Sequence, residues 1–365
     1  FMMYYGTRER GNRVCYAESN DGIHWVKPEL GLHPYREHRQ TNIILPDVHY
    51  FWPIHNPNPN APGEQRYLGF GYTKIEVVSK DGVRKRKGRS VGYSSPDGVH
   101  WKKVMDTHSG KDTFFSVAWC AADRRFRAYV RGWREHEDYG KLRYDPEMPQ
   151  FRTVCVMESA DFLTWTPPAP LLETDVKEGA PLVQVYGLGV TRYGSGLVGA
   201  LSVLYIDESV EGWQRGHQDT QLVASRDGIN WCRVADRATF IPHGPEGAFD
   251  WGEAYYSGGV FGHGDKTYCY YAGKSTLHKG PGQYAIGLAT LPRDRLIALS
   301  QEDASRPAIV ETKTFKCRGR ELLVNTTGQG SLQVEVLDED GKPLPAYSAG
   351  ASRLTPAGAT VSYTH

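Results

Sequence analysis

The chain has 365 residues, 43 basic and 42 acidic side chains, a formal net charge of +1 and 12% aromatic residues. That balance excludes the basic field of a nucleic-acid surface and the one-signed face of a membrane-surface protein, and no run of eighteen apolar residues offers a transmembrane helix. The length exceeds one ordinary domain, so a large domain with a smaller companion is expected.

The elements read in chain order as strands. Residues 1–7 and 13–18 form the first pair, closed by Ser19-x-Asp21-Gly22-x-x-Trp25. Because Phe1 already lies in a strand, a further first strand is expected upstream. Residues 49–59 precede a strand at 67–72, and the basic run 80–89 reads as a solvated hairpin tip before the phrase returns as Ser95-x-Asp97-Gly98-x-x-Trp101. Residues 112–119 form the next inner segment, followed by strands at 126–133 and 153–158 and by Ser159-x-Asp161-Phe162-x-x-Trp165. Strands at 182–186, 196–205 and 220–224 lead to Ser225-x-Asp227-Gly228-x-x-Trp231. A fifth unit carries strands at 267–272 and 284–290, with Arg293-Asp294-Arg295 in place of the phrase. The four tryptophans are 76, 64 and 66 residues apart, a near-regular period that indicates a radial or stacked repeat. The phrase has its own mechanism: the Asp bonds backbone amides ahead of it, the Gly permits a tight turn, and the Trp packs back on the unit.

These units predict an all-β fold, a five-bladed β-propeller over residues 1–300. After a polar stretch at 300–307, strands at 309–317, 321–325 and 331–337, with a turn at Asp338-Glu339-Asp340-Gly341, predict a partial β-sandwich-like accessory domain over 308–365. The six cysteines at 15, 120, 155, 232, 269 and 317 have no C-x-x-C spacing. They read as buried hydrophobes, not a disulfide framework or zinc site, and favour a reducing, cytoplasmic compartment.

Chemistry is sought where inner strands line the axis, because glycosidic hydrolysis needs two carboxyls. The candidates are Asp112 at the head of its strand, Glu178 before Ala180-Pro181, and the pair Asp250 and Glu253 around Trp251. Packing of a carboxyl against an indole raises its pKa and provides a face for a sugar ring. Residues placed to bind substrate are Trp52, His55, Asn56, Trp119, Arg131, Trp251, Tyr256, Lys274 and His278. No G-x-S-x-G elbow, P-loop or H-E-x-x-H is present, and the histidines lack ligand spacing, so neither cofactor nor metal is expected. His24 and His100 hold equivalent places in the turn phrase and read as structural.

The phrase repeat and the C-terminal β domain resemble the glycoside hydrolase superfamily that includes families 32, 43 and 68. Residues 15–32, Asn58-Pro59 with Arg66-Tyr67, 221–228, 286–291 and 332–345 are similar to family-32-like hydrolases of bacteria. The resemblance implies three channel acids. The first would lie upstream of Phe1, Asp112 matches the second, and Glu178, in a Glu-Gly-Ala-Pro phrase, competes with Glu253 for the proton donor. Asn56 stands where the family pattern has Asp, and His55 or His278 is a substitute acid. The expected activity is exo-acting hydrolysis of a terminal furanosyl or deoxy-sugar residue stacked on Trp52, Trp119 or Trp251. The alternatives are a phosphorylase, its anion held by Arg131, Arg134, Lys274 and His278, and a non-catalytic carbohydrate-binding propeller.

Overall fold

The computed structural model describes residues 1–7, 12–78, 82, 84–107, 113–135, 150–212, 214–315, 321–326, 330–351, 353–354 and 361–364. Among them are strands and short 3-10 turns but no α-helix. The chain divides into one unit of Phe1–His263 with Tyr268–Thr290 and a second of Gly264–Thr267 with Leu291–His365.

The first unit is a succession of antiparallel meanders. β1 (Met2–Thr7), β2 (Arg13–Glu18) and β3 (Ile43–Pro46) make the first, and β4 (Val48–His55), β5 (Tyr67–Val78), β6 (Arg84–Ser95) and β7 (Lys102–Thr107) the second. The third comprises β8 (Phe114–Cys120), β9 (Arg125–Glu135), β10 (Gln150–Ser159) and β11 (Ala169–Leu172). Next come β12 (Val183–Tyr193), β13 (Gly196–Ile206) and β14 (Gly216–Ser225), with β15 (Trp231–Arg233) and β16 (Thr239–Ile241) both paired to β14. β17 (Glu253–His263), β18 (Lys266–Lys274) and β19 (Tyr284–Pro292) follow, joined to β14 by a single parallel bridge, Gln218 to Glu253.

Consecutive meanders pack face to face. Val14, Tyr16 and Ile44 of the first meet Phe51, Tyr93 and Trp101 of the second. Leu68, Phe70, Tyr72 and Met105 of the second meet Val117, Phe126, Val130 and Met157 of the third. The innermost strands also touch: the Ser116 hydroxyl of β8 donates to the Leu188 carbonyl of β12 at 2.7 Å, and Val260 N–H of β17 donates to Thr191 Oγ1 at 3.3 Å. The last meander returns to the first, with the Phe1 ring 5.9 Å from that of Tyr268 and Trp25 edge-on to Tyr270 at 5.8 Å. Face-packed meanders that close on themselves are a β-propeller arrangement.

All four turn phrases share one hydrogen-bond scheme. The Ser hydroxyl accepts the amide three residues on, at 2.8–2.9 Å, and the Asp Oδ1 accepts the amides two and three residues on, at 2.7–2.9 Å. His24 and His100 Nδ1 cap the second carboxylate oxygen at 2.6 and 2.7 Å, which gives both a structural role. A tyrosine from β1, β9 or β18 then reaches the next meander's phrase. Tyr4 donates to Gly98 O at 2.9 Å, Tyr129 to Gly228 O at 3.1 Å and Tyr270 to Gly22 O at 2.5 Å. The last of these closes the ring. The three glycines have φ of +74 to +82°, and the bound hydroxyl lies 2.6–2.8 Å from where a Cβ would stand, so a side chain is excluded twice over. At the junction of the second and third meanders Phe70 replaces the tyrosine and Phe162, at φ +68°, replaces the glycine. Their rings meet edge to face at 6.3 Å.

In the second unit β20 (Glu321–Val324) pairs with β23 (Val361–Thr364) and β21 (Leu332–Gln333) with β22 (Arg353–Leu354). The turn expected at Asp338 is present, its Oδ1 accepting from Asp340 N and Lys342 N at 3.0 and 2.8 Å. The strand expected from 309 does not form over 309–315, where Ile309, Val310 and Phe315 are 90, 66 and 59% exposed and no strand among the described residues pairs with them.

Tyr129→Phe removes one latch bond and is expected to cost about 1 kcal/mol. Gly228→Ala, which strains φ and displaces the same hydroxyl, should cost about 2 kcal/mol or more in urea unfolding. Equal, negligible effects would show that the latch does not constrain the junction.

Candidate functional site

Three innermost strands carry a β-bulge near their start. The extra residues are Tyr50 in β4, Phe115 in β8 and Tyr186 in β12. A bulge leaves one residue out of the ladder and re-aims its side chain, so aromatic groups converge on the axis from successive meanders. At the start of β17 stands Glu253, 2% exposed.

Glu253 is met by three polar side chains, from β14, from β18 and from the segment that follows β18. Lys274 Nζ, at the end of β18, lies 3.3 Å from Oε1, His278 Nδ1 lies 3.4 Å from the same oxygen, and Gln218 Nε2 donates to Oε2 at 3.2 Å. The second hydrogen of that amide points at His278 Nδ1, 3.0 Å away. Burial pushes the His278 imidazole down to about 4, against the pull of Glu253. The ring is therefore neutral at neutral pH, and its contact with Glu253 is not an ion pair. With Nδ1 accepting from Gln218, the proton resides on Nε2. Nε2 and Gln218 Oε1 are buried without a hydrogen-bond partner among the described residues. A buried carboxylate held by an ammonium and an amide, beside an unmet imidazole N–H, is an arrangement that can exchange a proton with a bound ligand.

Around this centre the side chains are aromatic and cationic. The Tyr186 ring lies edge-on to His278 at 4.9 Å, with the Arg131 and Arg152 guanidinium carbons 4.5 and 5.2 Å from its centroid. Arg131 also donates to Tyr186 O at 2.8 Å, and Arg152 to Gln184 Oε1 and Gln214 Oε1 at 2.8 and 2.6 Å. Tyr255 stands 6.3 Å from both Tyr186 and Tyr284, and burial raises the phenols of Tyr186 and Tyr255. No group of three or more His, Cys, Asp or Glu that could hold a metal ion occurs among the described residues.

The structure thus brings Glu253, Lys274, His278 and Arg131 together and gives the other described candidates different surroundings. Asp250 accepts from the Tyr271 hydroxyl at 2.7 Å, and Trp251 is half-buried with its ring edge-on to His217 at 5.3 Å. Glu178 closes a 3-10 turn, Val176–Glu178, and pairs with Arg233 at 2.6 Å and Arg237 at 3.5 Å. Arg134 is exposed and paired with Glu173. Trp52 and Trp119 pack against the core shared by the second and third meanders. His55 Nδ1 contacts Asn56 O at 3.1 Å, while the Asn56 amide donates to Gln65 O at 2.8 Å and accepts from Asn58 N at 3.0 Å, roles that fold the loop. Asp112 lies outside the described residues, as does the side chain of Tyr256. Sequence reasoning passed over Gln218, Arg152, Gln184 and the bulged Tyr50 and Tyr186. The available signal was the polar run His217-Gln218-Asp219-Thr220-Gln221 inside a strand, and Gln184 with Tyr186 in an apolar one.

No protein-family model matches the chain, and no curated protein matches it. Among solved structures, a glycoside hydrolase shares 16% identity over 85% of this chain and 87% of its own, with a TM-score of 0.49. A glycosyl hydrolase from Bacteroides ovatus shares 15% over 60% of this chain, at TM-score 0.39, and the match spans 62% of its length. The β-1,2-mannobiose phosphorylase from Listeria innocua, solved with β-1,2-mannobiose, shares 10% over 64% of this chain and 70% of its own, at 0.40.

The buried His278 makes stability depend on pH. Its folded value of about 4 lies below the ordinary 6.5, so between these pH values the unfolded chain binds the extra proton. Stability from this group is complete above about pH 6.5 and falls as pH drops towards 4, by about 3 kcal/mol. Denaturant unfolding of the wild type and His278→Gln at pH 4.5 and 7 should show a shallower pH dependence in the variant. The same dependence in both would show that His278 is not the titrating group.

Proposed function

We propose that the chain is a glycoside hydrolase, a five-bladed propeller whose axial pocket takes the terminal residue of a glycoside, with Glu253 as the general acid. The observation that carries this reading is the geometry at Glu253: a carboxyl 2% exposed at the axis, beside a neutral imidazole and below bulged aromatic side chains. Glu253 acts as the acid in the form in which it has taken up a proton, and giving that proton to the departing glycosidic oxygen restores the carboxylate that Lys274 and the Gln218 amide hold. The second carboxyl the reaction needs is assigned to Asp112, as base or modulator. In sequence it immediately precedes Thr113, whose carbonyl accepts the Arg131 backbone N–H at 3.1 Å, so the chain that follows it enters the same cluster. A terminal furanosyl or deoxy-sugar residue would present its apolar face to Tyr186 and Tyr255.

One observation favours a second reading, a phosphorylase. Buried Arg131 and Arg152 lie over Tyr186, buried Lys274 pairs with Glu253 beside them, and among the described residues Glu253 is the only carboxylate in that cluster. Such a setting suits an anionic nucleophile such as phosphate in place of water.

Product release from aryl glycosides and oligosaccharides, with and without phosphate, separates these readings. Turnover should fall ~10²-fold or more in Glu253→Gln and Asp112→Asn, each checked for native melting. Dependence on phosphate would select the phosphorylase. Undiminished turnover in Glu253→Gln would remove Glu253 from the chemistry.

A further inference from the structure

The third turn phrase departs from its siblings at two positions. Phe162 occupies the left-handed position held elsewhere by glycine, and Thr164 stands where His24, His100 and Asn230 cap the Asp. Three Asp side chains of the series have both carboxylate oxygens engaged. In Asp161 only Oδ1 is engaged, accepting from Ser159 Oγ, Leu163 N and Thr164 N at 3.0, 2.8 and 2.8 Å, and Oδ2 has no partner among the described residues. At this same place a cleft of about 330 Å³ opens between the second and third meanders. Its floor is apolar, with Leu68, Val104, Phe126 and Phe162, and the half-buried Trp119 forms one wall. Around the rim stand Asp161, Arg124, Gln65 and Asn58. Among the described residues the side chains of Arg124 and Gln65 and the Trp119 indole N–H form no hydrogen bond or ion pair.

We infer that this cleft is a second saccharide-binding site, recognising a neutral sugar ring by the Trp119 indole and the Asp161, Arg124, Gln65 and Asn58 side chains. A sugar offers an apolar C–H face and a hydroxyl edge. An indole wall with a convergent carboxylate, carboxamides and guanidinium matches both. Arg124 and Asp161 balance in charge, so the site selects against a charged sugar. Asp161 cannot serve as a proton donor there, because the Thr164 backbone amide, foremost among its partners, holds its carboxyl below the usual range. The site binds and does not react. Backbone strain of the Phe162 kind is retained where the surroundings require it, as at a ligand clamp. The cleft is also distant from Glu253. The bulge at Tyr50 lies near the start of β4 and Asn56 just past its end, a span of roughly 20 Å along the strand.

This inference does not depend on the reading of Glu253, and its test keeps the two apart. The Trp119 indole ¹H–¹⁵N resonance, assigned with Trp119→Phe, is followed during titration with sucrose, cellobiose, mannobiose and maltotriose. At least one probe should move it. The movement should persist in Glu253→Gln and weaken about tenfold or more in the double variant Gln65→Ala/Arg124→Ala, whose side chains are exposed and form no hydrogen bond or ion pair among the described residues. A Trp119 resonance unmoved by every probe, or moved equally in the double variant, would overturn the inference, as would movement lost in Glu253→Gln.

Discussion

The hydrogen bond from Tyr270 to the carbonyl of Gly22 spans 248 residues of chain and holds the last meander to the first. Everything at the axis depends on that closure, because an open row of meanders would leave the innermost strands without a common centre. The closure in turn depends on a turn in which the Ser and Asp side chains satisfy several amides locally. The turn fixes the direction of one backbone carbonyl, and in the second and fourth phrases that carbonyl serves two donors, the phrase's own Trp and the preceding meander's Tyr. Local turn chemistry is thereby converted into long-range register.

The price of the axial cluster is the burial of charge. Lys274 and Glu253 are each 2% exposed, and a buried pair of this kind offsets its desolvation only when its remaining hydrogen-bonding capacity is met. Gln218 meets part of it, donating to Glu253 and His278 at once, and the Leu277 carbonyl accepts from Lys274 at 3.3 Å. The neutral state of His278 follows from the same burial: a second cation beside Lys274, away from water, would cost more than Glu253 returns. The cluster is stable as scaffold with its imidazole neutral, which is also the state in which it has an N–H to offer.

Much of the fold was legible because its signals are local. Ser-x-Asp-x-x-x-Trp specifies a turn from seven consecutive residues, and its recurrence predicted where the meanders lie. The strand expected over 309–317 lacked such a marker, and over 309–315 apolar composition alone did not make a strand. The site was less legible because its contacts are not local: Gln218 meets Glu253 across 35 residues and His278 across 60. Adjacency was itself misleading for Asp250 and Glu253, which the backbone directs to Tyr271 and to Lys274 respectively. The abundance of tryptophan suggested sugar platforms around the catalytic carboxyl, yet Trp52 and Trp119 pack on the core shared by two meanders and neither belongs to the cluster around Glu253. Lys274 and His278 were readable as candidates since a Lys and a His just beyond a buried strand have few structural reasons to be there.

The bulges at Tyr50, Phe115 and Tyr186 separate two kinds of inheritance. A side chain outside the ladder can be exchanged without altering any cross-strand pair, so the lining of the axis is free to diversify while the meanders keep their sequence rules. Removing the extra residue is a different event: it would slip the strand by one and turn every later side chain to the opposite face. Descendants of such a chain would be expected to vary the identity of these three residues widely and their number hardly at all.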